Sequence, residues 1–245
     1  MTVDGKQRTV VIEQPNFIPW LGYFDLIRQS DVFVWYDDVQ YTKRDWRNRN
    51  HVAGDGQATR LTIPVKTKGR REQLICSVEI DYSQPWERKH LETLRSLYGR
   101  APFFDVTYDV IRKAVEARPA LLADLTIGLN EGLCALLGFV RTFVRSSQLP
   151  PMVAGRQERL MQLCSDEGGG VYLSGPAARA YLDPAPFGKA GIELRYIVYD
   201  YPPYERGGPF MPNLSIVDAL AWLGPEGTAA FLGQHGRSEV EPIAC

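Results

Sequence analysis

The sequence predicts an α/β fold: an open, mainly parallel sheet begun by an N-terminal βαβ unit, with a helical middle section. Three observations carry this. Val10–Val11–Ile12 and Val32–Phe33–Val34–Trp35–Tyr36 are short apolar runs rich in β-branched and aromatic residues, the pattern of buried strands. Between them Leu21, Phe24 and Ile27 recur at helical spacing behind Pro19, and proline is favoured at a helix start. A strand, a helix and a second strand in that order make the two strands parallel. Third, Leu122, Leu125, Leu129, Leu133 and Leu136 step by three and four residues, so the middle of the chain is helical rather than a further run of strands.

The remaining elements follow in order. Gly54–Asp55–Gly56 is a turn between two strands, with Ala58 to Val65 returning. Lys66 to Glu72 reads as a basic, mobile loop, and Ile75–Ile80 alternates like a strand. Residues 85–138 are mainly helical: one helix opens at Pro85–Trp86 and runs to Leu97, a second covers Val106 onward and breaks at Pro119, and a third ends at Gly138. Val140–Val144 is a strand, Pro150–Pro151 closes the section, and Arg156 to Cys164 is helical. Val171–Leu173 is a strand that turns at Ser174–Gly175–Pro176 into Ala177 to Leu182, and Leu194–Tyr199 is the last strand. A helix over Leu214–Leu223 has Asn213 as its cap and stops at Gly224–Pro225. Residues 1–8 are expected to fray and 234–245 to form a loose tail, the whole being one domain over 1–245.

Composition narrows the function. The chain has 245 residues, is 44% hydrophobic and 23% charged, and has a net charge of −1, with no overall bias toward nucleic acid or anionic membrane. It has no apolar run long enough to span a bilayer and no signal-peptide segment at its start, so a cytoplasmic location is expected. Three histidines (51, 90 and 235) and four cysteines (76, 134, 164 and 245) show no metal-ligand spacing, and no metal or bound cofactor is expected.

The chemistry gathers where the first two strands end. Ligands of open parallel sheets sit beyond the carboxyl ends of the strands. There stand Glu13, Gln14, Asn16, Asp37, Asp38, Gln40, Tyr41, Lys43, Arg44, Arg47, Asn48 and Arg49. A single pocket lined by Gln14, Asn16, Asp38 and Asn48 is the expectation. Paired carboxylates at a strand end can be a solvated terminus, a Mg²⁺ site or a base, and alternation lets only one of Asp37 and Asp38 face a site, taken as Asp38. Guanidinium forks suit phosphate oxygens, so Lys43, Arg47 and Arg49 form the candidate rim for a phosphorylated ligand. Tyr41 belongs to the same segment. Tyr204, in the Tyr201–Pro202–Pro203–Tyr204 loop after the last strand, reaches the same rim.

These residues resemble the WbqC-like family. Its pattern is matched by Gln14–Pro15–Asn16–Phe17, Pro19–Trp20, Gly22–Tyr23–Phe24–Asp25, Ser30–Asp31–Val32–Phe33–Val34, Asp37–Asp38–Val39–Gln40–Tyr41, Lys43, Trp46 and Asn48–Arg49–Asn50. Later matches are Leu61–Val65, Tyr172–Gly175, Tyr181–Leu182 and Leu214–Asp218. Two places depart from it: Glu13 stands where many relatives carry histidine or methionine, and Tyr201–Pro202 and Glu205 where relatives carry His-Pro and Gln. The resemblance implies amide-forming acyl or aminoacyl transfer from a thioester, on a carrier protein or coenzyme A, to an amine such as an amino sugar in O-antigen or natural-product biosynthesis. It implies a small-molecule amine and an acyl carrier protein as partners. Glu13 and Asp38 are then the candidate bases, Gln14, Asn16 or Asn48 the oxyanion donors, and Lys43, Arg47 and Arg49 the donor's rim. ATP-dependent activation with Mg²⁺, or a non-catalytic carrier- or sugar-binding role, are the alternatives.

Overall fold

The structure is a computed structural model that describes residues 7–54, 56–150 and 155–242. Its strands are β1 (Thr9–Glu13), β2 (Val32–Trp35), β3 (Arg49–Ala53), β4 (Ala58–Thr62), β5 (Thr142–Arg145), β6 (Val171–Ser174), β7 (Glu193–Val198) and β8 (Arg237–Val240). Its helices are α1 (Leu21–Gln29), α2 (Trp86–Tyr98), α3 (Phe104–Glu116), α4 (Leu122–Leu136), α5 (Arg156–Asp166), α6 (Pro184–Lys189) and α7 (Ile216–His235).

Six strands form one sheet in the order β5-β2-β1-β6-β7-β8, and β3 and β4 form a separate two-stranded hairpin. The expected βαβ unit is present, with Val10 opposite Val32 and Ile12 opposite Val34 in parallel register. The other sheet pairs are parallel too, except the antiparallel β7–β8 pair. From β1 the chain moves outward through β2 to β5, then returns to β6 on the other side of β1. The strand order therefore reverses between β1 and β6, which is where such sheets open a crevice at their carboxyl ends.

Alternation along the strands builds two cores. Val11, Phe33, Trp35, Leu173 and Ile197 face a large cluster with α1, α7 and the helical middle section. Val10, Ile12, Val32, Val34, Tyr172 and Leu194 face a smaller one with α5 and α6, through Leu160, Leu163 and Phe187. Glu13 takes the same side as Val11, and Tyr36 the same side as Val34.

Four expectations need correction. Ile75–Ile80 is not a strand: Ile75–Ser77 is one 3₁₀ turn, and isolated bridges tie Leu74 to Gln40, Ile80 to Val65 and Glu79 to Leu121. The alternation of Ile75, Val78 and Ile80 records burial on α4 rather than a ladder. The terminal helix does not stop at Gly224–Pro225. Gly224 adopts φ 73° and Pro225, needing no N–H partner, opens a second segment that runs to His235; the cap is Ser215, whose Oγ accepts from the Val217 N–H, not Asn213. The tail is not loose at 237–240, because β8 pairs along β7 from Arg195 to Val198. Finally, α6 follows the 3₁₀ turn Pro176–Ala180, with Asp183 as its cap. Residues 1–6, Asp55, Pro151 and Cys245, on which parts of the sequence reading fall, lie outside the described residues.

Candidate active site

The site is built on the loop from β1 to α1, residues 14–20. Several groups fix that loop from different directions. The Phe17 N–H donates to the Trp46 carbonyl (3.0 Å), and the Ile216 N–H at the start of α7 to the Pro19 carbonyl (2.9 Å). Asn50 Nδ2 on β3 donates to the carbonyls of both Phe17 and Ile18 (3.0 and 2.9 Å), and Asn130 Nδ2 on α4 to that of Asn16 (2.8 Å). Tyr23 Oη donates to the Gln14 carbonyl at 2.9 Å. The clamps hold a conformation the chain resists: Ile18 has φ 36°, unfavourable for a β-branched residue.

Glu13 ends β1 beside the strand-order reversal. A methyl group placed at Gly175, just past β6, would stand 3.9 Å from Glu13 Oε1 and 3.5 Å from the Tyr199 hydroxyl, so the three positions enclose one spot. Burial pushes the Glu13 carboxyl up to about 7, and the Arg47 guanidinium draws it down by less. Glu13 in turn helps raise the phenols of Tyr23 and Tyr199, which burial raises most.

Arg47 arranges the neighbouring amides. Its Nε donates to Gln14 Oε1 at 2.6 Å and its Nη1 to Asn16 Oδ1 at 2.7 Å, while Nη2 lies 3.4 Å from Asp45 Oδ2. Because both side-chain carbonyls face a cation, the orientation of both amides is set by the network. Their NH₂ groups bond no acceptor among the described residues. Asp45 is desolvated, but the Thr42 hydroxyl, Arg47 and the Trp46 N–H together hold its carboxyl below its ordinary range.

Asn16 also lines a cavity of about 350 Å³ with Pro19, Trp20, Trp46, Asn50 and Asn213. On the far side of Trp20 a second cleft of about 410 Å³ is walled by Tyr199, Tyr201, Tyr204 and Phe210. A more voluminous groove, about 700 Å³, lies between α2 and α3, among residues such as Leu91, Arg95 and Tyr108 that belong to neither the Glu13 cluster nor its loop.

Other expected residues are placed elsewhere. Asp38 and Asn48, expected in one pocket with Gln14 and Asn16, are bonded to partners of their own. Asn48 is buried, with Nδ2 donating to the Ile63 carbonyl (2.7 Å), because Asn48 and Ile63 face each other at the open end of the β3–β4 hairpin. Asp38 accepts from Ser146 Oγ and Arg159 Nη2. Asp37 is fully buried and is held by the backbone N–H and hydroxyl of Ser147, both at 2.9 Å. Protein donors thus occupy both carboxylates of the pair. The Tyr204 hydroxyl donates to the buried Asp218 (2.6 Å), although its ring lines the aromatic cleft. Tyr41 is buried, with the charges of Arg49 and Asp45 acting on its phenol, and Lys43 is exposed. Cys134 and Cys164 are buried, and burial pushes the Cys164 thiol up to about 12, which suits core residues and not nucleophiles.

The matched motifs thus hold one loop and its clamps, and comparison of the whole chain agrees. The profile of the WbqC-like protein family matches residues 14–230. The chain belongs to this family. It is 38% identical over 222 residues to the uncharacterized protein Rv1507c of Mycobacterium tuberculosis (strain ATCC 25618 / H37Rv), covering 89% of this chain and 95% of that protein. No solved structure matches it. In this WbqC-like chain the region matching the family begins at Gln14, one residue after Glu13, and contains Arg47, Asn50 and Asn130, which set the loop's geometry. Sequence reading missed Arg159, Ser146, Asn130 and Tyr199. Each meets its partner across more than 100 residues of chain, as Arg159 and Asp38 do at a separation of 121, so no local spacing announces them.

Proposed function

We propose that this WbqC-like protein forms amides by acyl or aminoacyl transfer from a thioester to an amine, with Glu13 as general base. The observation that supports this is Glu13 itself: a carboxyl near 7 at the strand-order reversal, next to two amides whose NH₂ groups face away from Arg47. A base of that strength is matched to neutral solution. The amine nitrogen attacks the thioester carbonyl and its proton passes to Glu13. The carbonyl oxygen becomes an oxyanion that Gln14 Nε2 and Asn16 Nδ2 can meet. Collapse breaks the C–S bond, and the thiolate leaves and takes up a proton. Arg47 positions both amides. Asp38, already committed to Ser146 and Arg159, anchors the β2 end and not the reacting proton. The acceptor in this reading is an amino sugar or similar amine, in O-antigen or natural-product biosynthesis.

The test is thiol release from acyl thioesters in the presence of amino sugars, with product mass as the second readout. Glu13→Gln should lower kcat by about 10²- to 10⁴-fold with the fold intact, as expected for loss of a general base. Full activity of Glu13→Gln, or thiol release without an amide product, would overturn the reading.

A further inference from the structure

Past the tips of β2 and β6 stands a cluster that the reaction scheme above does not use. Tyr36 follows β2, and Tyr181 follows the turn after β6. Over these rings lie the first residues of α5. The Arg156 guanidinium carbon is 4.0 Å from the centre of the Tyr181 ring, and that of Arg159 is 5.2 Å from the centre of the Tyr36 ring. The two cations differ in one respect. Arg159 is neutralised by Asp38. Arg156 is exposed and meets no carboxylate among the described residues. Burial raises the Tyr36 phenol, and the charges of Arg159 and Arg156 act against it. Tyr181 has 47% of its surface exposed; burial of the rest raises its phenol, Arg156 acts against that rise through its charge and a hydrogen bond, and Glu13 adds to it. The Tyr36 N–H donates to the Glu13 carbonyl (2.9 Å) and its ring packs with the α5 core, so the cluster adjoins the end of β1 from the α5 side of the sheet.

A guanidinium stacked on a ring still presents N–H groups along its edge beyond any one bond to a neighbouring phenol, and the phenol hydroxyls beside it add neutral donors. This set matches the oxygens of a phosphate ester better than it matches a carboxylate, which has only two oxygens to satisfy. We propose that Arg156, with Tyr36 and Tyr181, is the subsite that anchors the phosphate of a phosphopantetheine thioester donor. The proposal rests on the acyl-transfer reading for the donor's identity. It moves the phosphate contact from Arg47, whose donors are engaged by Gln14, Asn16 and Asp45, to the α5 side of the sheet.

Calorimetric titration tests this without any turnover. The probes are 4′-phosphopantetheine, pantetheine and coenzyme A, against the wild type, Arg156→Ala, Arg156→Lys and Tyr181→Phe, with Arg60→Ala on the hairpin as a control. Phosphopantetheine should bind the wild type at least about tenfold more tightly than pantetheine, a preference that charge-assisted hydrogen bonds can supply. Arg156→Ala should abolish that preference with no change in melting temperature, Arg156→Lys should weaken it, and Arg60→Ala should leave it intact. Coenzyme A binding no tighter than phosphopantetheine supports a carrier-borne donor, and tighter binding supports the free coenzyme; both keep the anchor. No binding of phosphopantetheine by the wild type, equal binding of the two pantetheines, or an unchanged preference in Arg156→Ala overturns it. Phosphate-selective binding without amide formation would retain the anchor and remove the acyl-transfer reading, whereas amide formation without phosphate selectivity would do the reverse.

Discussion

Glu13 carries a cost that pH can reveal. Its carboxyl stands at about 7 in the fold against 4.5 ordinarily, because burial disfavours the charged form. Between those values the folded chain holds a proton that the unfolded chain has released, so this residue makes stability fall as pH rises from 4.5 to 7. His90 does the opposite. Burial lowers it from 6.5 to about 4, the unfolded chain takes up the proton first, and stability falls as pH drops through that range. The two contributions oppose one another where the windows overlap. Glu13→Gln should therefore be more stable than the wild type above pH 7, by up to roughly 3 kcal/mol before solvent screening is discounted. Urea unfolding at a series of pH values measures this, and equal midpoints for the two proteins above neutrality would contradict it. Arg47 adds a second handle, since its cation holds Glu13 down. Arg47→Met should move the acid limb of kcat/KM above 7 and cost about 3 kcal/mol of stability through the lost charged hydrogen bonds. A limb that stays in place would show that the cation does not act on Glu13.

At the scale of elements, the loop after β1 is held by parts of the chain remote from it in sequence. Asn50 satisfies two carbonyls of a loop that contains a strained Ile18, and His90 on α2 stacks under Phe17 with ring centres 6.0 Å apart. Asn50→Ala should lower stability by about 2–3 kcal/mol and reduce kcat more than its effect on KM, because the loop relaxes away from Glu13. Fluorescence-monitored unfolding and initial rates on one preparation read both effects. The βαβ unit, α2 to α4 and the hairpin were legible from periodicity and turn residues, because local pattern and tertiary burial agree there. Elsewhere they part. The Ile75–Ile80 segment alternates because it threads between three neighbours. β8 has a polar sequence and becomes a strand only by pairing with the edge of β7. The loop of the site was legible from its dense polar residues, yet the division of labour within it was not. Asn48 and Asn50 look equivalent in sequence, and only the fold turns Asn48 to Ile63 and Asn50 to the strained carbonyls.

For the whole molecule, a net charge of −1 conceals polarity. Nine of the 28 lysines and arginines but only three of the 29 acidic residues lie between Tyr41 and Gln73, so this excursion carries a formal +6 and the remainder −7. The excursion closes on itself where the Tyr41 N–H meets the Gln73 carbonyl, and it includes the hairpin at the rim of the site. Lys66 and Arg70 are paired with Glu79, while Lys43, Arg44 and Arg60 are not in ion pairs among the described residues. At about pH 7.5 and low salt the protein should be retained on a cation-exchange matrix despite its acidic sequence pI of about 6.3. Glutamine at Lys43, Arg44 and Arg60 together should abolish that retention; unchanged retention would mean that the charges do not act as one patch.

The sheet order also bears on how the molecule assembles. β1 is central, yet one neighbour, β2, comes soon after it and the other, β6, does not pair until Thr9 meets Val171. Closing so long a loop between parallel strands is entropically costly and kinetically slow. Until it closes, β1 presents one bare edge, and Val10 and Ile12 lack the helix α5 that covers them. The partly assembled half is thus a sheet with an open apolar face, the kind of species prone to pair with another chain. The strand that carries Glu13 is therefore completed late. The crevice of the strand-order reversal comes into being in the step that ends the molecule's exposure to aggregation, so chains that have not finished folding also have no site.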